Sequence, residues 1–138
     1  MNKKEEIEEI VFDEIESASS KIHDIDLNKI ISEEKKISDK SSRLDLGKFK
    51  KLINQIKLAM NLLKDFKNKK YTDVPWRTIA MLAASVMYFV NPFDIMPDLL
   101  PVLGFADDAI LFASLFKSIQ ADLEKYCHWK GYNPELYF

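Results

Sequence analysis

The run TIAMLAASVMYFV, residues 78–90, carries no charge over its whole length. A helix that crosses a bilayer needs about 20 apolar residues, so this run is too short to span by itself. The next apolar run starts at Leu99 and is cut by Asp107 and Asp108. The pattern reads as a core helix over about 74–90, apolar nearly all round and therefore central. A membrane-embedded hairpin is the alternative reading. Asp73 can cap the helix, and Pro75 falls in its first turn, where a missing N–H costs nothing.

The segment that follows, NPFDIMPDLLPVLGFADD at 91–108, holds three of the five prolines, one of the three glycines and four aspartates. Carboxylates in so apolar a context must be capped, paired or bound to a cation. Asn91 is placed as an N-cap with Pro92 at the first helical position. Asp94 then reaches back to the Asn91 N–H as in a capping box. Pro97 cannot donate, so no ordinary long helix passes through it. Asp107 and Asp108 open the next helix, where free N–H groups favour acids. In one reading Asn91, Pro92, Pro97, Pro101 and Gly104 build a fixed turn and the aspartates cap it. In the other, Asp94, Asp98, Asp107 and Asp108 form a site for a hard cation or a basic partner group, the cation needing extra carbonyl or water ligands. Asp98 has no capping role and is the residue that would mark a site.

Outward from this centre the chain reads as helices. Ile7, Val11, Ile15, Ala18 and Ile22 make one stripe over 3–22. Asp26 can cap a shorter helix with Leu27, Ile30, Ile31 and Ile37, and no Gly or Pro before Gly47 forces a break, so 3–38 is one bent helix or two. Residues 38–43 read as a polar linker. A third helix over about 45–67 buries Phe49, Leu52, Ile53, Ile56, Ala59, Met60, Leu63 and Phe66, with Lys50, Lys57, Lys64 and Lys67 on other faces. A fifth helix over about 105–126 contributes Ile110, Leu111, Ala113, Ser114, Leu115, Phe116, Ile119 and Leu123. No strand pattern occurs. The expectation is an all-α fold, a single bundle of about five helices with the Pro/Asp-rich turn between the last two long ones. Residues 1–45 form an N-terminal helical segment packed on the bundle, 46–126 its core, and 127–138 an aromatic, irregular tail.

Charge is unevenly spread along the 138 residues. Residues 1–42 carry 7 basic and 12 acidic groups, 43–77 carry 10 and 3, and 78–138 carry 3 and 7. The basic middle block is either neutralised inside the fold or offered to an acidic partner or anionic lipid. One cysteine, Cys127, excludes an internal disulfide and points to a reducing, cytoplasmic setting. The N-terminus has no signal-peptide core. Arg77 is the one charge on the central helix, about 20 Å from the aspartates at its far end. An antiparallel hairpin places it near Asp122 or Glu124, and leaves a lysine of the third helix or first segment as the aspartates' counter-charge.

Reaction signatures are lacking. His23 and His128 fall in different segments, and Cys127 and His128 are read as ordinary surface or tail residues. One Cys and two His do not suit zinc, and three scattered glycines make no phosphate loop. Nucleic acid is disfavoured by a pI of about 5.7 despite Lys69-Lys70-Tyr71. No cofactor is expected. Trp129, Tyr132, Tyr137 and Phe138 either fold back over the bundle or dock a partner.

The strings PWR at 75–77 and YFVNPFDIMPDLLPVLGFADD at 88–108 resemble the YkvA-like family of small bacterial domains of unknown function. The resemblance rests on Tyr88, Pro92, Asp94, Pro97, Asp98, Pro101, Gly104, Asp107 and Asp108 in register. It spans roughly residues 62–120 and leaves the first 45 as the variable part. It implies a helical fold and points toward membrane association, and implies no activity. The expected function is a non-catalytic helical interaction module in the cytoplasm. It contacts a protein partner or an anionic membrane surface through Lys57, Lys64, Trp129 and Tyr132. The alternatives are a small immunity-type protein whose acidic first helix neutralises a basic partner, and a metal-dependent enzyme using the aspartate turn.

Overall fold

A computed structural model of the chain describes residues 3–90 and 108–138. Its centre is the uncharged run. The helix Trp76–Val90 buries every side chain from Thr78 to Val86, and Tyr88 and Phe89 beyond. Ala80, Ala83 and Ala84 present little bulk, so neighbouring helices can approach closely. The buried Ser85 hydroxyl is satisfied by the Met81 carbonyl at 2.8 Å. In chain order the helices are α1 (Lys3–Ser19), α2 (Asp24–Ser32), α3 (Glu34–Ser42), α4 (Leu46–Lys67), α5 (Trp76–Val90), α6 (Asp108–Ser118) and α7 (Gln120–Lys130). A 3₁₀ turn, Pro134–Leu136, follows. The architecture is all-α, with α5 packed against α1, α2, α3, α4 and α6. Among the described residues no helix is long and apolar enough to cross a membrane.

Among the described residues there are seven helices against the expected five, and three breaks without a Gly or Pro signal set the divisions, two of them beyond the five-helix reading. The first lies between Ser19 and Asp24, so α1 and α2 are separate. The Ser19 and Ser20 hydroxyls bond back to the Glu16 and Ser17 carbonyls, both at 2.6 Å, competing with the helical ladder. Asp26 does not sit at the cap itself but three residues in, where it accepts the His23 N–H at 2.8 Å. A second break at Glu33 separates α2 from α3. The stretch read as a linker is helical through Ser42, because Ile37 and Ser41, four apart, both turn inward. The third break, at Ile119 (φ −117°, ψ 24°), divides the expected fifth helix into α6 and α7. Ile119 itself is buried there, and on α6 Phe112, Leu115 and Phe116 face the core while Ala113 faces out.

α4 starts as expected, with Asp45 accepting the Gly47 N–H at 2.9 Å, and kinks at Phe49. Its buried arc is wider than the apolar stripe and takes in Gln55, Leu58, Leu62 and Asp65. The tail folds back on this arc. Gln55 donates to the Tyr137 carbonyl at 2.9 Å, Asn61 donates to the Tyr132 hydroxyl at 3.3 Å, and the Phe138 ring lies 5.9 Å from Phe116. Cys127 is neither surface nor irregular tail. It lies on the last turns of α7, wholly buried, and burial pushes its thiol up to about 11.

Candidate functional site: the lysine and aromatic end of the bundle

The turn singled out by sequence lies outside the described residues at Asn91, Pro92, Asp94, Pro97, Asp98, Pro101, Gly104 and Asp107. So does the side chain of Asp108, the first residue of α6. The approach to it is described. Lys40 of α3 donates to the Phe89 carbonyl and stands over the Phe89 ring, 4.6 Å from its centre. A cation at the last turn of α5 meets the negative end of the helix dipole. Lys36, Lys40 and Arg43 share a face and, with Asp39, Leu44 and Val90, border a recess of about 500 Å³. A lysine of the first segment thus stands where the aspartate turn begins.

Arg77 stands at the Asp122 level of the fold but its ion-pair partner is neither Asp122 nor Glu124. It bonds Glu16 of α1 at 3.0 Å, and its neighbour Thr78 donates to Asp122 at 2.6 Å. The side chain at 77 points toward α1 because the Thr78 position is the one that turns to α7. Lys64 is paired with Glu34 of α3 at 3.0 Å, whereas Lys57 is exposed on the rim of a groove between α3 and α4. Trp129 is half exposed, and Tyr132 is partly buried against α4.

At the opposite end of α5 the structure assembles a site that sequence reading missed. Asp65, 7% exposed, accepts the Tyr126 hydroxyl at 2.6 Å and the Lys130 ammonium at 2.9 Å. Burial by itself would raise this carboxyl, but the two hydrogen bonds and the Lys130 charge outweigh it and hold the group below the ordinary carboxylate value. The same burial and the Asp65 charge push the Tyr126 phenol strongly upward, so it stays a donor. The signal for Asp65 was in the spacing: Leu58, Leu62 and Asp65 continue one helical face at four and three, and that face is buried.

The Asp65 carbonyl also accepts the N–H groups of Lys70 (2.9 Å) and Tyr71 (3.2 Å), and Lys69 donates to Phe66. This is a Schellman closure of α4 with Lys69 at the left-handed position, φ +60°, where glycine is usual. The closure fixes the loop 68–75. Tyr71 packs edge-on to Tyr126 (5.1 Å) and against Trp129 (5.0 Å), and its hydroxyl has no partner among the described residues. Trp76 leans on Phe66 at 6.0 Å. Asp73 is matched by Lys125 at 2.5 Å. Lys67, Lys69 and Lys70 are exposed and make no ion pair among the described residues. Among the described residues no three His, Cys, Asp or Glu side chains group as metal ligands. The arrangement offers positive charge and flat apolar rings on a rigid base.

A family model described as a protein of unknown function, DUF1232, matches residues 78–113. The chain is 35% identical over 81 residues to the uncharacterized membrane protein YkvA of Bacillus subtilis (strain 168), covering 59% of this chain and 76% of that protein. The chain belongs to the YkvA-like family. No solved structure matches it. The residues matched by the YkvA-like family model run from α5 into α6. The lysine loop, Trp76 and α7 lie outside them.

Proposed function

We propose that this YkvA-like chain is a non-catalytic helical interaction module that contacts an anionic membrane surface from the cytoplasmic side. The observation that carries the reading is the fate of the basic middle block. Of its described side chains only Lys64 and Arg77 are neutralised, by Glu34 and Glu16. Arg43, Lys50, Lys51, Lys57, Lys67, Lys69 and Lys70 stand exposed without an ion pair among the described residues. The charge asymmetry is therefore not spent inside the fold, and a surface of this kind is attracted to anionic lipid. The Bacillus subtilis relative is named an uncharacterized membrane protein, which supports the same reading.

Flotation with phosphatidylcholine vesicles, with and without about 30% phosphatidylglycerol, tests it at about 0.05 M and about 0.5 M salt. Binding that requires the anionic lipid and weakens at high salt is expected. Absence of binding at low salt removes the membrane reading and leaves a protein partner as the target of the module.

A further inference from the structure

Resting on that reading, we propose that the chain meets the bilayer with one end. This is the end built from residues 66–76 and Trp129, with Trp76 and Trp129 seated at the headgroup level and Lys67, Lys69 and Lys70 over anionic lipids. Three observations converge there. The only two tryptophans of the chain are both at this end, 38% and 50% exposed. Large rings with a polar N–H settle at the boundary between water and lipid. Each is held by a ring beneath it, Trp76 by Phe66 and Trp129 by Tyr71 and Tyr126, so little freedom is lost on contact.

The charge at this end is lopsided in a way that suits a diffuse anionic surface. Asp65 is neutralised by Lys130 and Asp73 by Lys125, Asp122 accepts the Thr78 hydroxyl, and Asp24 borders the recess beside Lys67 and Lys69. Against these acids stand three exposed lysines, Lys67, Lys69 and Lys70, without an ion pair among the described residues. Lysine acts as a hydrated point charge on a flexible stem, whereas bidentate reading of individual phosphates favours arginine. The Schellman closure at Asp65 keeps the three lysines on a fixed loop rather than a loose tail. The basic recess at Lys36, Lys40 and Arg43 stands at the other end of α5, about 20 Å away along a helix of this length and beyond a Debye length at physiological salt. It carries no tryptophan.

Intrinsic fluorescence reads this face directly. Adding the phosphatidylcholine–phosphatidylglycerol vesicles should shift the tryptophan emission to the blue and shield it from an aqueous quencher. Each lysine near an anionic surface contributes about fivefold to partitioning. Lys67→Gln, Lys69→Gln and Lys70→Gln together should therefore weaken binding roughly 100-fold. The α3 pair Lys35→Gln and Lys36→Gln should leave it within about twofold. All five positions but Lys69 are in ordinary backbone conformations, and circular dichroism checks that each variant is folded. Vesicle flotation without any change in emission would keep the membrane reading and overturn this face. Loss of binding in the α3 pair rather than the loop triple would do the same. No flotation at all would overturn the membrane reading itself, and retention of the loop's dependence on polyglutamate instead would assign the face to an acidic protein.

Discussion

Asp65 shows what a single carboxylate costs and returns in this core. Its oxygens are nearly closed off from water, and each hydrogen bond it accepts comes from a residue more than sixty positions away. Removing one member of a buried charged network strands the others, which is why Asp65→Ala should cost about 3 kcal/mol, read as a shift of the urea midpoint. Asp65→Asn keeps an acceptor for Tyr126 and should cost less. A few residues on, Lys69 makes the opposite case. Its φ of +60° is strained for any side chain with a Cβ, and the side chain itself makes no ion pair among the described residues. Lys69→Gly should raise stability by up to about 1 kcal/mol in the same assay. It should also weaken vesicle binding, because the strained position holds one of the loop's three unmatched charges.

At the level of elements, α5 is where stability is concentrated. Ala83 is fully buried in a helix contacted from five directions, so there is no direction in which a longer side chain can relax. Ala83→Leu should lower stability by about 2 kcal/mol, visible as a fall of roughly 5–8 °C in Tm. The central place of α5 was legible from sequence, because thirteen uncharged residues can be satisfied only by burial on all sides. So was the apolar face of α4, whose period is strict from Leu52 to Leu63. The divisions at Glu33 and Ile119 were not legible, and the one at Ser19–Asp24 was left open. They depend on serine hydroxyls returning to their own helix and on the inward turn of Ile119, neither of which disturbs the hydrophobic period. The site at Asp65 was half legible. Its place on the buried face follows from Leu58 and Leu62, but of its partners Tyr126 stood only at the end of the expected fifth helix and Lys130 fell in the segment that read as irregular tail. Cys127 was misplaced for the same reason: α7 runs on past Tyr126 and carries it inside.

Across the whole molecule, the Asp65 network ties the C-terminal helix to the end of α4, and its titration sets how folding responds to pH. The Asp65 carboxyl is lower in the folded chain than its ordinary value of 3.8. Its contribution is therefore complete above about pH 4 and is lost as pH falls through the folded value. Lys130 is raised, first by its hydrogen bond to Asp65, and Tyr126 is raised, first by burial. Both contributions are complete below about pH 10 and are lost as pH rises beyond it. Thermal unfolding should accordingly show a plateau between about pH 5 and about pH 9, with a fall on each side. The two limbs share a cause, since the same carboxylate is protonated on the acid side and, together with burial of the phenol, holds the lysine and phenol protons on the alkaline side. Asp65→Asn should therefore lower the plateau and flatten both limbs together. Other carboxylates titrate in the same acid range, so the acid limb becomes shallower rather than disappearing. Were the alkaline limb of Asp65→Asn as steep as that of the natural chain, Lys130 and Tyr126 would not be coupled through Asp65, and the link between α7 and α4 would rest on ring packing alone.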